Sequence, residues 1–353
     1  MEFFGNILDV ILAVFIFGLL LFIHELGHFI MARLTGVKVE EFGFGFPPRL
    51  IKLFTWQGTA FSLNAIPFGA FVRPVGEDDP TVKGGLAGAS KRVRVLVLLG
   101  GVTLNALAAV MAYTIAFKIA FPDGVIVDGI TPETPAEQAG LLEGDRILSL
   151  DGVGVRHTNE VIEYVYSHLG KEITLNLDRD GVAVDLRVTL RTTWPDGQGP
   201  SGMIIADTFS DSHGWDEAFG EGLRTIRDQV KLILQLPAMI LRGGFNASTD
   251  RPVGPLGILD VTEQIVDAAR ENNRWVIILN WIGMINLALA IGNILPIPAL
   301  DGGRLLFIFL EAIRRKRVDP EKERMVHAYS LLVLLGLMLF ITYLDIFFPV
   351  MPR

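Results

Sequence analysis

The 353-residue chain contains no cysteine. That excludes disulfide stapling, thiol nucleophiles and thiolate metal ligands, so any bound metal must be held by His, Asp or Glu, while the compartment is left open. No Lys or Arg stands in MEFFGNILDV ahead of the first apolar run. The basic start of a cleavable signal peptide is therefore missing, and this segment is expected to be retained. No internal repeat or low-complexity tract is evident, and nucleic acid is not an expected partner.

What the sequence has in abundance is apolar length. Half its residues are hydrophobic and the mean hydropathy is +0.44. Four windows, roughly 6–33, 93–120, 275–300 and 326–348, approach or exceed the ~20 apolar residues that cross ~30 Å of hydrocarbon. The charges between them are uneven. Residues 33–94 carry 9 Lys/Arg and 5 Asp/Glu, residues 304–325 carry 7 and 4, and residues 121–274 carry 13 and 25. The positive-inside rule then puts the two short connections in the cytoplasm, and the acidic segment and both termini outside. The expected protein is a multi-pass α-helical protein of the cell membrane with about four transmembrane helices.

Between the first two spans, VKVEEFGFGFPPRLIKLFTWQGTAFSLNAIPFGAFVRP alternates apolar with polar residues and is broken by Gly and Pro. This predicts strands and tight turns associated with the membrane, with a plain cytoplasmic loop as the alternative. Residues 122–195 read as an inserted α+β domain: strand VIVDGI, short helix TPAEQAG, strand DRILSLDG, helix TNEVIEYVYSHLG and a hairpin turning at Asp180-Gly181. The run GLLEGDRILSLDG in this order resembles a bacterial PDZ domain. The resemblance implies an extracytoplasmic groove for a peptide or chain end, or a size filter. Residues 196–274 are read as a connector with amphipathic helices. In it Phe219, Leu223, Ile226, Val230 and Ile233 form one helical stripe, suited to the membrane interface or to packing under the soluble domain. Membrane parts are thus expected at 1–121 and 275–353.

One stretch, LLFIHELGHFIM at 20–31, sets two histidines and a glutamate inside a lipid-soluble span. Ionisable groups at that depth are expensive and face a bundle interior for a purpose. On a helix, His24 and His28 project from one face, so both imidazoles can reach one ion ~2.0–2.1 Å away, with Glu25 beside it. Zinc so held lowers the pKa of water to roughly 7, and the adjacent carboxylate can take the proton. A catalytic zinc takes a third protein ligand. Asp301 is the only acid between Glu271 and Glu311, and both its span and the first run from outside to inside, which gives it a compatible depth. Pro296 and Pro298 break the helix just ahead of it. Asn105, in LLGGVTLNALAAV after Gly100-Gly101, reads as interhelical glue or, as the family resemblance named next implies, as a substrate-binding group near the active site.

HELGH in the first span, NILPIPALDGG in the third and the PDZ-like insertion together resemble the site-2 protease family of intramembrane zinc metalloproteases. EFGFGFPPRL and RPVGPLGI also look like family segments. The resemblance implies Zn2+ as cofactor, held by His24, His28 and Asp301, with Glu25 as general base and Asn293 holding substrate backbone near the metal. It implies single-span membrane proteins as substrates, cleaved within or near their transmembrane helices. Room for one PDZ-like domain departs from the two-PDZ members. An intramembrane metal transporter and a non-proteolytic PDZ scaffold are the rival functions; neither asks for Glu25, a third ligand and the prolines together.

Overall fold

The computed structural model describes residues 7–195, 198–210, 214–241, 253–271 and 274–347. Both chain termini, and Arg251-Pro252 of RPVGPLGI, lie outside the described residues. The chain divides into a membrane unit, residues 1–116 and 219–353, and a second compact unit, residues 117–218.

The membrane unit begins with helix α1 (Ile7–Leu34), whose stretch Val14–Leu34 is apolar enough to span a bilayer. Gly36, at φ +80, ends the helix by taking the left-handed conformation that an L side chain resists, and the Val37 amide donates back to Ala32 O at 2.8 Å. Strands β1 (Val39–Trp56) and β2 (Thr59–Pro74) come next, joined by Gln57-Gly58 with φ +48 and +85, the positive-φ pair of a tight hairpin turn. Both strands bend back on themselves. Arg49 to Trp56 pairs with Asn64 to Thr59, while Glu41 to Phe44 lies between Ala60–Leu63 on one side and Arg73–Ala70 on the other. The segment 70–74 therefore forms an edge of this sheet. Phe42 is buried under Phe22, Phe29 and Phe61, whereas Leu50, Ile51, Leu53 and Phe54 near the hairpin end are exposed, as suits a sheet that meets lipid. The second span is α2 (Lys91–Ile119), whose first turn is met by the Ser90 hydroxyl accepting from the Val93 amide.

The second unit starts with β3 (Phe121–Ile130), α3 (Pro135–Gln138), β4 (Arg146–Leu150) and β5 (Val153–Gly154). It continues through α4 (Thr158–Ser167), β6 (Glu172–Arg179), β7 (Val182–Thr189) and β8 (Met203–Ser210). The strands make one sheet in the order β7-β6-β4-β3-β8, with β5 on β4. Period-two alternation sends Ile173, Leu175 and Leu177 inward to meet Val125, Val127, Ile147, Val161 and Val165. Asp180 and Gly181 take φ +52 and +83 at the hairpin tip. The sequence pattern ends this domain at 195 and assigns residues 196–274 to a connector. The structure differs there: β8 pairs with β3 from Phe121 opposite Ser210 to Ile130 opposite Met203. TTWPDGQGPSG between β7 and β8 reads as a boundary because of its Pro and Gly, but the open edge of β3 recruits the next apolar segment.

A buried ion pair fixes the α3 to β4 loop of this unit. Asp145 is 1% exposed, and its two oxygens accept from Nε and Nη2 of Arg179, each at 2.7 Å. Asp145 Oδ2 also accepts from the Leu142 amide. Burial alone raises the Asp145 carboxyl, but the Arg179 guanidinium and the Leu142 amide outweigh it and hold the group below the usual carboxylate range. A depressed folded value adds stability above the unfolded pKa of about 3.9, and that contribution fades as pH falls through the folded value. Asp145→Asn is expected to cost about 1.5–3 kcal/mol at neutral pH. Thermal melts should show the gap between wild type and variant narrowing in acid; a gap independent of pH would contradict this account.

The chain returns through α5 (Trp215–Leu241), which carries the expected stripe. Phe219 and Leu223 on it are exposed, and Gly222 lies against Tyr113 and Thr114 of α2. The Tyr113 hydroxyl also bonds Gln229. Helix α6 (Pro255–Glu271) brings Val266 against Ile16 and Leu20 of α1. The third span is α7 (Val276–Ile294). A break at 295–300 leads to α8 (Asp301–Arg314), a helix within the basic connection, and the fourth span is α9 (Pro320–Phe347). Asp345 near the end of α9 accepts from the Gly254 and Gly257 amides at the start of α6, where a carboxylate suits the unpaired donors of a helix N-terminus. Glu311 of α8 is buried on Arg94 of α2, with O and N 2.7 Å apart.

Candidate active site

Three helices of the membrane unit meet around one point. His24 and His28, one turn apart on α1, are both buried, and their Nε2 atoms stand 3.1 Å apart. Asp301, the first residue of α8, brings Oδ2 to 3.1 Å from each of them. The three atoms form a near-equilateral triangle. A tetrahedral centre with bonds of ~2.0–2.1 Å has ligand edges of about 3.3–3.4 Å, so these donors need shift by only tenths of an ångström to share one ion. Oδ2 of Asp301 is buried and in hydrogen-bond geometry with no partner. An orphaned carboxylate oxygen facing two imidazoles is the donor set a divalent cation such as zinc satisfies. Among the described residues this is the one cluster of three such side chains.

The rings are held from behind. Nδ1 of His28 lies 2.8 Å from Val97 O on α2, so the proton sits there and Nε2 faces the triangle. Asn105, also on α2, is fully buried with its amide 3.4 Å from Nδ1 of His24. Its Oδ1 has no partner. Turning the amide over gives Oδ1 the His24 Nδ1 proton and satisfies both groups. Asn105 thus stands beside His24, on the α2 side of the ring. α2 comes this close because of glycine. A Cβ on Gly101 would lie 2.6 Å from His28 Nε2 and from His24 Cε1, and Gly27 of α1 meets the Gly100 backbone directly.

Glu25 stands beside the triangle with Oε2 accepting from the Val72 amide at 3.0 Å. That amide belongs to the edge segment of β2, on the side not paired with β1. Asn293 is half-buried in the last turn of α7, just ahead of the break. The Gly302-Gly303 pair lies in the first turn of α8. A Cβ on Gly302 would strike the Ile294 and Leu295 carbonyls, and one on Gly303 the Ile297 carbonyl and the Pro298 Cα. The sequence pattern points to His24, Glu25, His28 and Asp301, and the family resemblance to Asn293, but both miss the Val97 carbonyl and the Val72 amide, because a backbone group carries no residue signature. Only Gly100-Gly101 hints that α2 closes the site.

Two imidazoles and a carboxylate around one point, a second carboxylate alongside, and four membrane-length helices define a zinc-dependent metalloprotease of the membrane. The chain belongs to peptidase family M50, whose family model matches residues 12–337. A Clostridium acetobutylicum protein named as a predicted zinc metalloprotease is 30% identical over 350 residues, 97% of this chain and 98% of its own. The regulator of sigma-W protease RasP of Bacillus subtilis is 27% identical over 421 residues, 96% of this chain and 98% of its own. The zinc metalloprotease RasP of Oceanobacillus iheyensis is 27% identical over 433 residues, at the same two coverages.

Proposed function

We propose that this intramembrane zinc metalloprotease cleaves single-span, membrane-tethered proteins within or near their transmembrane helices, with His24, His28 and Asp301 as zinc ligands and Glu25 as general base. The observation that carries the reading is the 3.1 Å triangle of buried donors on two helices far apart in sequence, with Glu25 adjoining it. When bound, zinc supplies Lewis acidity toward water and the scissile carbonyl. Glu25 accepts the proton of the attacking water and returns it to the leaving amine. Asn105 and Val97 O keep the Nε2 atoms aimed forward.

A transmembrane substrate has its carbonyls locked in helical hydrogen bonds and must unwind before attack. The edge of residues 70–74, where Glu25 already takes the Val72 amide, offers its remaining backbone groups for strand pairing to an unwound segment, and Asn293 offers a side-chain amide to its backbone; both would offset the broken helical bonds. The PDZ-like unit would read a peptide or chain end, or filter by size. The charge asymmetry supports both termini and the PDZ-like unit outside the cytoplasm and the site near the inner leaflet. Because the chain lacks cysteine, single cysteines at Lys316 and Glu133 report sidedness in intact cells. A membrane-impermeant maleimide should label only the second; labelling of the first would reverse the topology.

The function is tested with purified protein in detergent, a single-span test substrate and zinc. Cleavage inside the substrate's apolar segment, lost on chelation and restored by zinc, is expected. A chain that carries zinc across liposomes and cuts nothing would refute the assignment.

A further inference from the structure

Asp301 owes its position to the turn before it. The Leu300 amide donates to Ile297 O at 3.1 Å, which leaves Pro298 and Ala299 at the corners. Ala299 takes φ +84. That is the second corner of a type II turn, a place normally given to glycine, and an alanine there is strained. Two residues on, Asp301 opens α8, and the Gly303 and Arg304 amides of its first turn return to Leu300 O. A relaxed corner would swing that first turn, and Asp301 with it.

One side chain from a different helix holds the corner. The Ala299 amide donates to Nδ1 of His327 on α9 at 2.9 Å. The imidazole packs on Phe307 of α8 with ring centroids 5.4 Å apart, and its side chain is 15% exposed. Nε2, which then carries the proton, lies 3.9 Å from Glu323 Oε1. Accepting the Ala299 amide requires an unprotonated Nδ1, and a hydrocarbon side chain supplies no acceptor there. Nothing in the hydrolysis uses this histidine.

We propose that His327 is a positioning residue: it clamps the strained Ala299 corner from the fourth span and so sets the Asp301 carboxylate against His24 and His28. The inference rests on Asp301 being a zinc ligand. It makes the fourth span part of the metal site without supplying a ligand.

The test uses the full chain in detergent, with zinc affinity read by competition against a chromogenic chelator and the zinc-free melting temperature read in parallel. His327→Ala is expected to weaken zinc binding about tenfold or more, the scale of lost outer-sphere support, at an unchanged zinc-free melting temperature. Adding Ala299→Gly should recover most of that loss, because glycine adopts this φ without strain and needs no clamp. If His327→Ala does not fold, His327→Leu keeps volume against Phe307, lacks the acceptor and faces the same criteria. Wild-type zinc affinity in the variant, or a loss that Ala299→Gly does not recover, overturns the proposal. A wild-type chain that binds no zinc overturns the ligand assignment itself, which is a separate result.

Discussion

Glu25→Gln is expected to leave zinc bound and to lower cleavage of a single-span substrate by about 10²–10⁴-fold, the range for a lost general base. That is about 2.7–5.4 kcal/mol of barrier at 1.36 kcal/mol per tenfold. The separation arises from the geometry. Glu25 adjoins the ligand triangle and contributes no atom to it, while its Oε2 accepts from the Val72 amide. The glutamine amide keeps an oxygen that can accept from Val72, so the strand edge stays in place and only proton transfer is lost. Zinc content and turnover measured on one preparation check this. Turnover near wild type at full zinc occupancy would remove Glu25 from the chemistry.

Gly101→Ala should be nearly as damaging by a different route. On propensity alone, alanine in a helix interior is worth roughly 0.5–1 kcal/mol more than glycine. Here the added methyl would sit 2.6 Å from His28 Nε2 and from His24 Cε1. Both rings are pinned behind, by Val97 O and by Asn105, so they can give way only by leaving the triangle. Zinc content should fall about tenfold or more, with cleavage falling alongside. Gly18→Ala, with nothing within 4 Å of the new methyl, is the control and should retain both. Full zinc occupancy in Gly101→Ala would mean that α2 stands farther from the histidines than described.

The parts of this site that could be read in sequence are those where chemistry and periodicity coincide. The i, i+4 spacing of His24 and His28 needs only helical geometry to bring two imidazoles together. Asp301 needs only depth in the membrane and a scarcity of other acids. The spans were legible because lipid demands long apolar runs. The rest was hidden for three reasons. Val72 and Val97 act through backbone atoms, which any residue possesses. β8 joins its sheet across a Pro/Gly-rich stretch, so its membership depends on which edge was open. Gly302 and Gly303 carry no chemical group that marks a role, yet they serve close approach, since the backbone of 294–298 leaves no space for a methyl. The part of His327 in holding the Ala299 corner is invisible for the same reason: a lone histidine in a span says nothing of the amide it accepts.

X-ray absorption at the zinc edge of the detergent-purified chain tests the central claim most directly. Two imidazole nitrogens and carboxylate oxygen at ~2.0–2.2 Å are predicted, with the carboxylate contribution lost in Asp301→Ala and the imidazole contribution lost in His24→Ala together with His28→Ala. Zinc with the same ligand shell in wild type and in Asp301→Ala, or with no imidazole in its shell, would contradict the account.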